Sequence, residues 1–267
     1  MTRSRMFAGV LTLALAAQVS GACAAAGGPA TAQRGHDDSD FTERDESRQS
    51  YRLAPGARVD LNSVSGHVTV ETGGGSEAEV HIVRTARSRE DLRCREFKVS
   101  ATENTLRLDG NDNRSECRRV QVRQTVNLRL PRSVNLEINS VSGHVRVGEL
   151  DGSVRMNSIS GHATVRQAEG EAIFNSISGH VTVNLSRLGG RGVRMSSISG
   201  NIEVGLPEGA NADWRVSSIS GEIIADAPGV TVQKVGPSNY EGRIGAGGTE
   251  MTFNSISGNV RFRRASD

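Results

Sequence analysis

Aromatic residues are scarce: one Trp, two Tyr and six Phe make up 3% of the 267 residues. That excludes a core built on large rings and points to small and β-branched side chains packed in thin, regular layers. Lysine is nearly missing, with only Lys98 and Lys234 among 32 basic residues. A GC-rich coding sequence accounts for the Arg bias without a phosphate-binding surface. Charge of one sign is also lacking. Setting aside Arg3 and Arg5, which precede an apolar leader, leaves 30 basic residues against 30 acidic. A strongly basic nucleic-acid binder is thereby disfavoured.

Long apolar runs are absent after the first, Met6 to Val19, which falls short of the roughly 20 residues a spanning helix needs. Arg3 and Arg5 stand before it, and Ser20, Gly21, Ala22, Cys23 and Ala24 follow. This is the three-part layout of a secretory signal over residues 1–24. Small residues leading into Cys23 resemble a bacterial lipoprotein cleavage box, with Ser20 where that box prefers Leu. Ala22-Cys23-Ala24 equally reads as an ordinary A-x-A cleavage site. The expected product is an exported chain, either soluble or held by lipid at Cys23. Residues 25–50, rich in Gly, Ala, Ser and charge, lack the apolar surface to offset ordering entropy and read as a linker.

What is abundant is a phrase. Asn62-Ser-Val-Ser-Gly66 recurs at Asn139–Gly143, Asn157–Gly161, Asn175–Gly179, Ser196–Gly200, Ser217–Gly221 and Asn254–Gly258. Successive turn glycines from Gly143 are 18 or 21 residues apart until a gap of 37 before Gly258, which Asn239-Tyr-Glu-Gly242 divides as a worn copy. Within this period Gly143, Gly152, Gly161, Gly170 and Gly179 fall nine apart. Pairs such as Val145/Val147 and Val154/Met156 trail them in alternation, which is strand periodicity. Fixed-period self-similarity of this kind predicts an all-β fold, a single-stranded β-solenoid or β-helix over residues 138–264. Its coils of 18–21 residues would stack about 4.8 Å apart. The turn glycines Gly66, Gly143, Gly161, Gly179, Gly200, Gly221 and Gly258 are its structural marks. The copy at Gly66 precedes the next by 77 residues and is expected in an irregular N-terminal β region, 51–137, that caps the first coil. Cys94 and Cys117 flank strand candidates there, and in an exported chain they are expected to form a disulfide.

Two stretches carry a resemblance. One is the strand Val126-Asn-Leu-Arg-Leu-Pro131 followed by Val134-Asn-Leu-Glu-Ile-Asn-Ser-Val-Ser-Gly143. The other is the Gly-rich piece Gly245–Gly248 before the closing phrase at Asn254–Gly258. Over about residues 51 to 264 the chain resembles the bacterial putative-adhesin family. That resemblance implies a β-solenoid of unknown function and brings no catalytic residues with it.

Other constellations are weaker. His144, His162 and His180 share one slot in three successive coils and should form an outward ladder. It could present imidazoles to a transition metal or act as a pH switch, but duplication of a unit containing His suffices to explain it, so no metal and no cofactor are assigned. Asn139, Asn157 and Asn175 should stack as an amide ladder, and the Ser before each turn Gly should bond nearby backbone. Asp109–Asn113 resembles the start of a calcium loop but lacks its later ligands. Arg114, Arg118, Arg119 and Arg123 form a basic cluster that could meet an anionic envelope polymer. No G-x-S-x-G occurs, and the acids of the repeat region are scattered, so catalysis is not expected. The expectation is a non-catalytic envelope protein whose repetitive face binds a surface polymer, a protein partner or copies of itself through its terminal coils. A sensor or regulatory module of an envelope-stress response is the alternative, and a polysaccharide-active β-helix enzyme ranks behind it.

Overall fold

The computed structural model describes residues 41–110, 117, 120–167, 170–188 and 192–265. The segment read as an export signal, Cys23, Arg114, Arg118 and Arg119 lie outside them. In chain order the strands are β1 (Glu43–Arg52), β2 (Arg58–Gly73), β3 (Glu77–Ala86), β4 (Lys98–Ala101), β5 (Thr105–Asp109), β6 (Val122–Pro131), β7 (Asn135–Leu150), β8 (Val154–Gln167) and β9 (Ala172–Leu185). They continue as β10 (Val193–Ser199), β11 (Ile202–Leu206), β12 (Ala212–Ser220), β13 (Ile223–Ala225), β14 (Gln233–Lys234), β15 (Asn239–Ile244), β16 (Thr249–Ser257) and β17 (Val260–Arg264). The single described helix, α1 (Arg89–Arg93), is capped by the Ser88 hydroxyl, which accepts from the Asp91 amide. Among the described residues no helix is long and apolar enough to cross a membrane.

Each winding is a bent ribbon. A first arm runs to the Ser-Gly corner and a second arm leaves it. In β2, β7, β8 and β9 both arms belong to one strand, whereas the pairs β10/β11, β12/β13 and β16/β17 break at the corner. First arms stack into one sheet, ordered β4-β5-β2-β7-β8-β9-β10-β16-β12-β15-β14. Second arms stack into another, ordered β1-β3-β6-β2-β7-β8-β9-β11-β17-β13. The repeat strands run parallel and in register, Gly on Gly and His on His. Parallel stacking lets each inner winding satisfy its backbone N–H and C=O groups on both neighbours.

The space between the sheets is filled by the alternating residues anticipated from composition. Ile138, Val147, Val165, Val183, Val204 and Val216 are fully or almost fully buried. Three of the few aromatics meet toward one end, where Trp214 tilts against Phe262 at 5.1 Å and Phe253 meets Phe262 edge-on at 5.5 Å.

Stacking order departs from chain order at both ends. The winding at Gly66 covers the first coil as expected, but as a further winding of the same stack. It lies between β5/β6 and β7, in register with β7 from Arg58↔Asn135 to Val70↔Val147. At the other end β16/β17 enters between β10/β11 and β12/β13. The chain after β13 doubles back antiparallel along one edge of β12 as β15, which leaves the opposite edge open to β16. Gly242 is therefore not a turn of the solenoid. It lies in β15 opposite Trp214, and a Cβ there would strike the indole and the Thr231 carbonyl.

The linker expected over 25–50 also ends sooner than its composition suggests. Glu43–Arg52 form β1, paired along its length with β3. Main-chain pairing and polar contacts order it in place of apolar burial. Arg84 bonds Asp45 and the carbonyls of Leu92 and Arg95, and His81 meets Glu46 at 2.8 Å. Cys94, which ends α1, is bonded to Cys117. That link ties the segment after β3 to the insertion that separates β5 from β6.

Candidate binding face

Seven turn glycines form one column: Gly66, Gly143, Gly161, Gly179, Gly200, Gly258 and Gly221. Their φ values lie between +140 and +156, and from Gly143 onward the place of a Cβ is taken by the carbonyl oxygen of the previous member. The corner is thus narrower than any side chain allows. It fixes the register of every residue beside it.

Directly after the column comes the histidine row. His144, His162 and His180 are stacked, and His67 extends them at the other end. Centroids are 5.2 Å apart at each of the three steps, with interplanar angles of 6°, 6° and 9°. All four rings are exposed. His67 was not anticipated in the ladder because 77 residues separate it from His144. The identical Asn-Ser-Val-Ser-Gly-His-Val phrase was the signal that could have placed it. In the next windings the slot holds Asn201, whose Nδ2 lies 2.9 Å from His180 Nε2, then Asn259, whose amide donates to Asn201 Oδ1. Parallel rings aim their nitrogens along parallel lines and do not converge on one ion. Among the described residues no group of three or more His, Cys, Asp or Glu side chains could hold a metal.

On the other side of the corner the asparagines form the amide ladder, and again one member, Asn62, comes from the N-terminal winding. Asn139, Asn157 and Asn175 each donate Nδ2 to the Oδ1 of the preceding member, at 2.9, 2.8 and 2.9 Å. Between the two ladders each winding carries Val or Ile. Ile198, Ile256 and Ile219, adjacent in the stack, are 48%, 49% and 73% exposed.

Carboxylates that look scattered along the chain do meet in space. Asp60 pairs with Glu137 across β2 and β7, and Arg58 bridges them at 2.6 and 2.8 Å. Asp213 pairs with Glu250 across β12 and β16. Both line an open cleft of about 840 Å³ that also holds Arg215, Glu241 and Arg243. Arg215 reaches Glu241 at 2.8 Å and Glu250 at 4.0 Å. Asp213 accepts from Arg243 Nε and from the Gly248 amide, both at 3.0 Å. The Arg243 hydrogen bond, with the Gly248 amide second, pulls the Asp213 pKa below the usual carboxylate value. A general acid needs the opposite shift. Of the basic cluster, Arg123 is the one described member, and its guanidinium lies 4.3 Å over the Phe41 ring.

Residues 60–263 match the model of a family described as Toastrack DUF4097. Among solved structures, a putative cell adhesion protein from Clostridium sporogenes ATCC 15579 is similar at 13% identity with a TM-score of 0.50, over 83% of this chain and 100% of that one. A putative adhesin (BF0245) from Bacteroides fragilis NCTC 9343 is similar at 13% identity with a TM-score of 0.40, over 82% of this chain and 97% of that one. The first is a likeness of fold. No curated protein matches the chain.

Proposed function

This chain belongs to the Toastrack DUF4097 family, and from that premise we propose that it is a non-catalytic scaffold of the cell envelope that presents a repetitive face to a surface polymer. The observation that carries the reading is the histidine row: four identical polar side chains held at one spacing on an exposed sheet face. A repeated, rigid row suits a repeated ligand, because little side-chain freedom remains to be lost on binding. The acidic pairs Asp60/Glu137 and Asp213/Glu250 are each engaged by arginine, as in a structural ion-pair network. An envelope location fits the leader in the sequence and the Cys94–Cys117 disulfide, since disulfides persist in oxidising compartments.

Co-sedimentation of the full chain with isolated cell walls, with the supernatant assayed for released sugars, tests this reading. Retention on the walls without release of soluble sugar is expected. Failure to sediment, or release of sugars, would overturn it.

A further inference from the structure

Resting on that reading, we propose that the row His67, His144, His162 and His180 is a subsite for an extended, uncharged β-1,4-linked glycan lying along the stacking direction, one sugar per winding.

Three observations carry this. The first is the step. The imidazoles repeat at 5.2 Å, and an extended β-1,4-linked pyranose chain advances by nearly the same distance per sugar, with alternate sugars turned over so that like faces recur at every second winding. An extended peptide advances about 3.3 Å per residue, or roughly 6.6 Å between side chains on one face, and falls out of step within two windings. α-1,4-linked glucans coil and offer no straight repeat.

The second is charge. Thr125 precedes His67 in this row and Asn201 follows His180. Every member is a hydrogen-bonding side chain, and a neutral imidazole offers one donor and one acceptor. Two residues along on the same face lie Asn127, Thr69, Arg146, Thr164, Thr182 and the acidic Glu203. A polyanion would call for a row of cations; this second row holds one, Arg146. Hydroxyl and amide groups facing hydroxyls match a neutral polymer.

The third is availability. The His180 ring shares Nε2 with Asn201, while the imidazoles of His67, His144 and His162 make no hydrogen bond to another described residue. Their faces cover one another, so the ring edges, with free nitrogens at a constant interval, are what the row offers.

The test is calorimetric titration of the full chain with N-acetylchitohexaose, cellohexaose and maltohexaose. Binding of one or both β-1,4 hexaoses, absent for maltohexaose, is expected. His162→Ala should weaken it by about tenfold, the equivalent of one or two hydrogen bonds. His162→Asn, which places in the slot the residue found at Asn201 and Asn259, should recover part of the loss. His81→Ala, a histidine outside the row, should change nothing. Melting curves of each variant confirm folding. Equal affinity of His162→Ala and wild type, equal binding of maltohexaose, or no binding of any hexaose would overturn the proposal. If the hexaoses fail while wild type still sediments with cell walls, the subsite falls and the scaffold stands; if wild type does not sediment, the scaffold reading itself falls.

Discussion

Gly161 lies one winding from Gly143, and the Gly143 carbonyl oxygen occupies the place where a Cβ on Gly161 would be. The backbone there also has φ +145, a conformation that costs an L-residue energy. Gly161→Ala therefore combines a backbone clash with strain at a corner that cannot open without breaking the ladder on both sides. A loss of about 3 kcal/mol or more is expected. For a domain of this size that is a fall in melting temperature of about 6 °C or more. Gly74→Ala is the control: a Cβ there meets nothing within 4 Å, and its melting curve should overlay that of the wild type.

The order of the windings can be tested covalently. Ser196 pairs with Asn254 in the neighbouring strand, and Asn254 in turn pairs with Ser217. Neighbouring strands are about 4.8 Å apart, so Ser196 and Ser217 are separated by two spacings, or roughly 10 Å. A disulfide reaches Cα atoms no more than about 7 Å apart. Ser196→Cys/Asn254→Cys should therefore cross-link on mild oxidation, seen as altered mobility on a non-reducing gel. Ser196→Cys/Ser217→Cys, adjacent if the windings followed chain order, should stay reduced.

This order is where sequence reading stopped. Period and parity expose the unit: Asn out, Gly at the corner, His out and Val in are all legible from spacing. The units are nearly identical, so any one can stack on any other, and periodicity is silent about which neighbour is chosen. The choice is made by parts that do not repeat. Trp214 and the segment that doubles back as β15 determine that β16 sits beside β12. For the same reason the Asp213/Glu250 and Asp60/Glu137 pairs could not be seen from their positions in the chain, and His67 and Asn62 were missing from their ladders. Strand β1 was missed for a different reason, since its order comes from hydrogen bonds and ion pairs that hydropathy does not register.

Asn157 stands in the middle of the amide ladder, donating to Asn139 Oδ1 and accepting from Asn175 Nδ2. Asn157→Ala removes both bonds but leaves the neighbouring amides within reach of water, so a loss of about 1 kcal/mol is expected. Asn157→Asp keeps the shape and the bond from Asn175, but loses the donor and sets a carboxylate oxygen against the Asn139 carbonyl oxygen. At neutral pH the Asp variant should be the less stable of the two in urea unfolding. A ladder of no energetic weight would make both indistinguishable from wild type.

Asp213 gives the fold a defined response to acid. Its Oδ1 accepts from Arg243 and its Oδ2 from the Gly248 amide, which lowers its pKa in the folded protein below the ordinary carboxylate value. A depressed folded-state pKa means that the unfolded chain takes up the proton first as pH falls. The stabilisation is then complete above the unfolded value of about 3.9 and fades as pH drops through the folded one. Asn at this position cannot ionise and cannot accept on both atoms. The melting temperature of Asp213→Asn should therefore lie below wild type by a constant margin from pH 7 down to about 5, and the margin should shrink on further acidification. Glu46, whose pKa is lowered by Arg44 and His81, titrates in both proteins and cancels in the difference. A margin that is unchanged at pH 3, or absent at pH 7, would show that the Asp213 contacts contribute nothing to holding β12, β15 and the turn before β16 together.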